Sequence, residues 1–202
     1  MGRLLLALLV GLVGALIVHI GVIFAMPRVA EDSAWARLTG IMEPFAPTVL
    51  SAGGTAAPAG GSVVAASPFG FMDPAFVTTA CRFSLALGPV RLVAEPTNGF
   101  WSASIHARSG DNLYSINERL ALDGRFDLVV GTQEQFETAR LEGLVGEGDS
   151  SIPVVVSGSE LYLTLRGLVD EESKQPFVDR FIRSLACEPI ELSAPAEPPA
   201  PS

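Results

Sequence analysis

Residues 4–26 carry no charged side chain, a run of 23 whose only strongly polar member is His19. Coiled as a helix, the run spans roughly 34 Å at about 1.5 Å per residue. That is enough to cross a hydrocarbon core about 30 Å thick. A cleaved export signal is the competing reading, but its apolar stretch is usually about 7–15 residues long and is followed closely by a small-x-small site. Here Met26-Pro27-Arg28 follows, and the one Ala-x-Ala, at Ala34 and Ala36, comes well past the run. The pattern therefore predicts an uncleaved span. An ionisable group inside a span can mark a function, but His19 reads first as a headgroup contact or a neutral imidazole. Arg3 flanks one side, and Arg28 and Arg37 the other, so the positive-inside count is undecided. The very short head favours an N-terminus inside and the remaining chain outside.

Beyond the span the periodicity changes. Residues 31–43 predict a short helix with Trp35, Leu38, Ile41 and Met42 on one stripe, Asp32 or Ser33 as its cap, and Pro44 as its stop. The stripe rests either on the membrane surface or on the domain. Residues 51–67 are almost wholly Gly, Ala, Ser, Thr, Val and Pro, the composition of a flexible linker or a loosely packed loop. From residue 69 the apolar positions alternate with polar ones, as in half-buried strands. Phe83, Leu85 and Leu87 alternate with Arg82, Ser84 and Ala86, and residues 90–94 follow the Gly88-Pro89 turn. Trp101, Ala103, Ile105 and Ala107 alternate with Ser102, Ser104, His106 and Arg108, which describes a strand with one buried and one polar face. Ser109-Gly110-Asp111 turns it into residues 112–117, with Tyr114 and Ile116 on one side, as a hairpin. Residues 126–130 read as a strand, and 152–156 with 161–168 as a second hairpin around Ser157-Gly158-Ser159. Two helices are predicted. Thr132 and Gln135 have capping-box spacing at the start of the first, which Gly143 ends. Pro176 opens the second, whose apolar face is Phe177, Val178, Phe181, Ile182 and Leu185.

The predicted organisation is a head over residues 1–3, a transmembrane helix over 4–26, a juxtamembrane helix and linker over 27–68, a β-rich outer domain over 69–190 and a disordered Pro- and Ala-rich tail over 191–202. The fold class is mainly β (α+β): an antiparallel β-sandwich or partial barrel with two short helices, preceded by one transmembrane helix.

Composition sharpens this picture. Hydrophobic residues make up 49 % of the 202, and the mean hydropathy is +0.40. Past the span lie 12 basic and all 22 acidic side chains, a formal charge of −10. Such a domain has no electrostatic attraction for nucleic acid or an anionic lipid surface. Contact with lipid is expected through residues 4–26. Cys81 and Cys187 flank the predicted domain, and an outer, oxidising location favours a disulfide between them over two buried thiols. A loop of that size contributes about 4–5 kcal/mol in the chain-entropy account.

Candidate chemistry is sparse. Outside the span His106 is the only imidazole, with Ser102, Ser104 and Asp111 as its neighbours in sequence. There is no Gly-x-Ser-x-Gly elbow. Two cysteines and one histidine are too scattered for a zinc set. Neither Asp170-Glu171-Glu172 nor Gly146-Glu147-Gly148-Asp149 follows a calcium-loop pattern. The Gly-rich stretch over 53–61 lacks a phosphate-binding lysine. No catalytic set, metal or cofactor is expected. The densest polar cluster is the first hairpin: His106, Arg108, Asp111, Asn112, Tyr114, Asn117 and Arg119, with Trp101 at its start. The cluster reads as a hydrogen-bonded turn or as a small binding surface.

The hairpin also carries a resemblance. Phe100-Trp101-Ser102, Gly110-Asp111-Asn112-Leu113-Tyr114-Ser115-Ile116-Asn117-Glu118-Arg119 and Asp127-Leu128-Val129-Val130 resemble the bacterial membrane-protein family called domain of unknown function 1254. Phe71-Met72-Asp73-Pro74-Ala75-Phe76, Cys81-Arg82-Phe83 and Ile17-Val18-His19-Ile20 are similar as well. The resemblance implies a single-pass protein of the inner membrane whose C-terminal domain faces the periplasm. Larger relatives join such a domain to a second, of unknown function 1214. The resemblance therefore implies a companion membrane protein carrying the complementary domain. It brings no activity with it. The expectation is a non-catalytic binding or assembly module of the cell envelope. The alternative is a small-ligand binder or enzyme with a pocket at residues 100–119.

Overall fold

The computed structural model describes residues 2–52, 72–121, 124–144 and 150–192, with the backbone alone over 27–34. The uncharged run becomes the first part of α1 (Gly2–Ile41), which continues unbroken for 40 residues. Gly2–Met26 within it has a mean hydropathy of 2.7, long and apolar enough to cross a membrane or to serve as a signal sequence. The separate helix expected over 31–43 is instead the end of α1, and Gly2 and Arg3 belong to α1 rather than to a head. The cap expected at Asp32 or Ser33 lies outside the described side chains. Of the two resting places open to the Trp35 stripe, the helix takes the domain. Trp35, Leu38 and Met42 are buried against Leu50, Ala80 and Tyr162, with the Trp35 and Tyr162 rings 6.2 Å apart. Arg82 fastens this seat by donating from Nη2 to the Met42 carbonyl at 3.0 Å.

The remaining strands are β1 (Thr48–Ala52), β2 (Phe76–Ser84), β3 (Val90–Val93), β4 (Trp101–Ala107), β5 (Asn112–Asn117), β6 (Asp127–Gly131), β7 (Ile152–Val155), β8 (Glu160–Leu168) and β9 (Ala186–Pro189). Helices α2 (Gln133–Leu141) and α3 (Gln175–Arg183) are the two short helices expected. A 3₁₀ turn, Glu172–Lys174, leads into α3. The strands form two sheets, five-stranded β1-β2-β8-β4-β5 and four-stranded β7-β6-β3-β9. Alternation assigns the faces. Val77, Cys81, Phe83, Ala103, Ile105, Leu161, Leu163 and Leu165 of the first sheet share one core with Val90, Leu92, Leu128, Val130 and Val154 of the second. The fold is thus mainly β, a two-sheet sandwich. Trp101 sits fully buried within it, its ring 5.5 Å from Phe126 and 6.0 Å from Phe181. The α3 helix packs on β2 and β8, with Val178 against Gly167.

Several elements differ from the sequence reading. Residues 48–52, placed in the linker, form β1, whose Val49 and Leu50 are buried on opposite faces. Residues 53–68 lie outside the described set. The strand expected at 82–87 starts earlier, at Phe76, and leaves Leu87 exposed. Residues 152–156 and 161–168 are no hairpin. β7 pairs in parallel with β6 in the second sheet, whereas β8 lies between β2 and β4 in the first. Parallel neighbours need a crossover, and α2 supplies it between β6 and β7. The capping box that starts α2 is present: Gln135 N–H donates to Thr132 Oγ1 at 3.3 Å, and Thr132 N–H donates to Gln135 Oε1 at 3.0 Å. Of the tail, Glu191 and Leu192 are described without regular structure, and residues 193–202 fall outside the described set. Cys81 on β2 and Cys187 on β9 are disulfide-bonded across a separation of 106 residues, tying the two sheets together.

Candidate binding cleft

The first hairpin is present as β4 and β5, but its polar side chains do not converge. Trp101 lies on the inner face, in the core, and its Nε1 is buried without a hydrogen-bond partner among the described residues. Tyr114 also turns inward and packs against the core. Arg108 pairs with Glu160 at the surface and lies 5.7 Å from the Trp35 ring. The Asn112 amide and the Ser115 hydroxyl bond each other. Asn117 Oδ1 accepts the Arg119 N–H at 3.1 Å, and Arg119 is exposed beside Glu118 at 3.6 Å. These are the local bonds of a well-satisfied turn. His106 faces a concavity.

That concavity lies on the outer face of the five-stranded sheet. It has a volume of about 430 Å³ and is lined by Leu38, Leu50, Met72, Thr78, Ser102, Ser104, His106, Tyr162, Thr164 and Arg166. Strand pairing sets the floor as a grid of three rows. Arg82, Tyr162 and His106 stand side by side on β2, β8 and β4. Ala80, Thr164 and Ser104 form the next row, and Thr78, Arg166 and Ser102 the third. The first and third rows are four residues apart, about 13 Å at roughly 3.3 Å per residue. Leu38, near the end of α1, supplies one wall, and Leu50 of β1 stands beside it.

His106 stacks on Tyr162 with centroids 4.9 Å apart. Burial holds its imidazole below the usual histidine pKa, and the Gly110 backbone pulls weakly the other way. Burial also raises the Tyr162 phenol. None of the expected neighbours forms a relay with this imidazole. Ser104 Oγ shares a hydrogen bond with Ser115 Oγ at 3.0 Å, and Asp111 accepts from Ser109 at 2.8 Å. The arrangement can hold a polar ligand, but it does not activate a hydroxyl.

A second concavity, of about 670 Å³, lies between the loop before β4 and α3, and includes Phe100, Asp170, Lys174, Phe177 and Arg180. Lys174 donates to Asp170 at 2.7 Å, so this charge is already matched within the chain. The pairing lowers the pKa of Asp170 and raises that of Lys174.

The sequence reading missed Thr78, Tyr162, Thr164 and Arg166. The signal for the last three was the alternation of β8, where Leu161, Leu163 and Leu165 take the opposite face. Placing β8 beside β7 hid its true neighbour, β4.

No family model matches the chain, and no curated protein matches it significantly. Two crystal structures are similar to it at low identity. The VPA0106 protein from Vibrio parahaemolyticus is 11 % identical over 65 % of this chain and 33 % of its own, with a TM-score of 0.48. An uncharacterized protein from Burkholderia cenocepacia is 14 % identical over 86 % of this chain and 43 % of its own, with a TM-score of 0.42. This chain therefore spans less than half the length of either.

Proposed function

We propose that the chain is a single-pass inner-membrane protein and that its periplasmic sandwich is a non-catalytic binding module of the cell envelope. The ligand site is the cleft on the outer sheet face. One observation carries this reading: the helix that would span the membrane continues into the domain, and its last turns form a wall of the cleft. A cleaved signal would take residues on one side of its cut away from the domain, whereas an uncleaved helix keeps site and membrane together. The Cys81–Cys187 bond supports an oxidising compartment. The test is fractionation of cells producing the full chain. The protein should resist alkaline extraction from membranes, keep its N-terminal residues, and show no alkylatable thiol until reduced. A shortened, extractable product would overturn the anchor.

A second reading, assembly with a companion, is favoured by the edge of β5, which pairs with no further strand among the described residues. This strand ends the first sheet, and Leu113 on it is exposed. An open strand edge offers backbone donors and acceptors to a strand from another chain. The resemblance to the domain of unknown function 1254 supplies the kind of partner: a similar small membrane protein carrying the complementary domain. Cross-linking in intact membranes, with a photoreactive residue at position 113, should capture one reproducible protein. Capture of none by abundant, folded protein would count against assembly at this edge.

A further inference from the structure

Thr78, Arg166 and Ser102 stand side by side on the three central strands of the five-stranded sheet, all facing the cleft. Arg166 is exposed and has no carboxylate partner among the described residues. Its guanidinium lies 5.7 Å from the Phe76 ring. The hydroxyls of Thr78 and Ser102 are likewise uncommitted: Thr78 is buried, Ser102 half-buried, and neither donates or accepts a side-chain hydrogen bond among the described residues. Among the described residues, the rest of the lining contains no acidic side chain. Elsewhere in the domain Arg91, Arg108 and Lys174 do have such partners.

A guanidinium between two free hydroxyls is a donor set for an oxyanion, and a carboxylate or phosphate suits its planar fork. Charge decides between them. One cation matches a singly charged head, whereas a phosphate monoester carries about −1.5 to −2 and would remain under-neutralised. The rest of the ligand must also fit. Leu38, Leu50 and Met72 face the polar floor and offer an apolar wall. A volume of about 430 Å³ lies in the range of small-molecule sites.

We infer that the cleft binds a carboxylate carried on a short apolar body, with the head on Arg166, Thr78 and Ser102 and the body against Leu38, Leu50 and Met72. The inference rests on the cleft being the ligand site proposed above, and it adds the chemical class.

The experiment is equilibrium binding to the full chain in lipid nanodiscs, with empty discs subtracted, using octanoate, octanol and octyl phosphate as probes. Octanoate should bind best. Arg166→Gln should weaken it by about tenfold to a hundredfold, the size of one charge-assisted hydrogen bond. Arg166→Lys should retain part of the affinity. Ser102→Ala should give a smaller loss, and Arg180→Gln, in the other concavity, none. The Arg166 side chain is exposed, so these variants should melt like the parent, which a thermal scan checks. Equal binding of octanoate by the parent and Arg166→Gln, or octanol as tight as octanoate, would overturn the carboxylate head and leave the cleft reading standing. Tighter octyl phosphate would overturn the carboxylate class alone. No binding of any probe would overturn both.

Discussion

Asp127 is buried at the start of β6, and its carboxylate is held by a two-point contact. Arg91 Nε donates to Oδ1 at 3.0 Å, and Nη2 to Oδ2 at 2.7 Å. The arginine is itself partly exposed, so the pair costs less to desolvate than a fully interior one, while the acid alone would stand buried without its main donor. Arg91→Met should lower stability by about 1–3 kcal/mol, and adding Asp127→Asn should recover part of that loss in urea unfolding. His106 sets a pH dependence. Its folded pKa lies below the ordinary value of about 6.5, so the unfolded chain binds the proton first. The contribution of the neutral imidazole is complete above about pH 6.5 and is lost as the pH falls from there through the folded pKa. His106→Phe keeps a ring on Tyr162 and should flatten this part of the stability–pH curve. At this scale the sequence was informative about faces and silent about depth. Alternation put Trp101 on the buried side of β4 and His106 on the other. Nothing in the spacing said that the hydroxyls around His106 border a cleft, because the opposing wall comes from Leu38, far away in sequence.

The elements are joined most tightly where the sheets meet. The disulfide links β2 of one sheet to β9 of the other. Closing so long a loop restricts the unfolded chain, and its removal should lower stability by up to about 4–5 kcal/mol. Paired Cys81→Ser and Cys187→Ser substitutions, followed by denaturant titration, measure this. Gly167 marks a second close approach: a Cβ there would stand 2.6 Å from Val178 Cγ1 on α3. Valine is stiff at χ1 and cannot step aside easily, so Gly167→Ala should cost about 1–3 kcal/mol as an overpacked site. Combined with Val178→Ala, the two effects should be less than additive. Most of these elements were legible in the sequence. β3, β4, β5 and the cap of α2 stand within a residue or so of where pattern and turn chemistry placed them. β1 was not, because Thr48–Ala52 runs into a low-complexity stretch and has too few residues to show a period. The pairing of β8 was not, because Ser157-Gly158-Ser159 looks like a hairpin turn. Local turn residues cannot tell a hairpin from a step between sheets.

For the molecule as a whole, the outer face of the five-stranded sheet depends on α1 for its cover. A chain beginning at residue 27 keeps Trp35, Leu38 and Met42 on Leu50, Ala80 and Tyr162 and should remain folded and monodisperse. A chain beginning at residue 43 bares that apolar patch and should melt lower and self-associate, by light scattering and thermal unfolding. The same dependence explains why the candidate cleft could not be read from the hairpin alone: its floor comes from residues around 78, 102–106 and 162–166, and its wall from Leu38, Leu50 and Met72.

The strand order also governs time. β8 lies between β2 and β4, so neither of those strands can complete its pairing until residues 160–168 have joined them. In a chain threaded outward from an anchored N-terminus, β3 to β7 all cross while β2 still shows a bare edge. Cys81 crosses with β2 and remains a thiol until β9 delivers its partner. Under the proposed periplasmic location, folding of this domain is a late event of export, not a stepwise one. Mixed disulfides at Cys81 and strand-mediated aggregation are the hazards of the interval, and any factor that guards the emerging chain must act before Cys187 arrives.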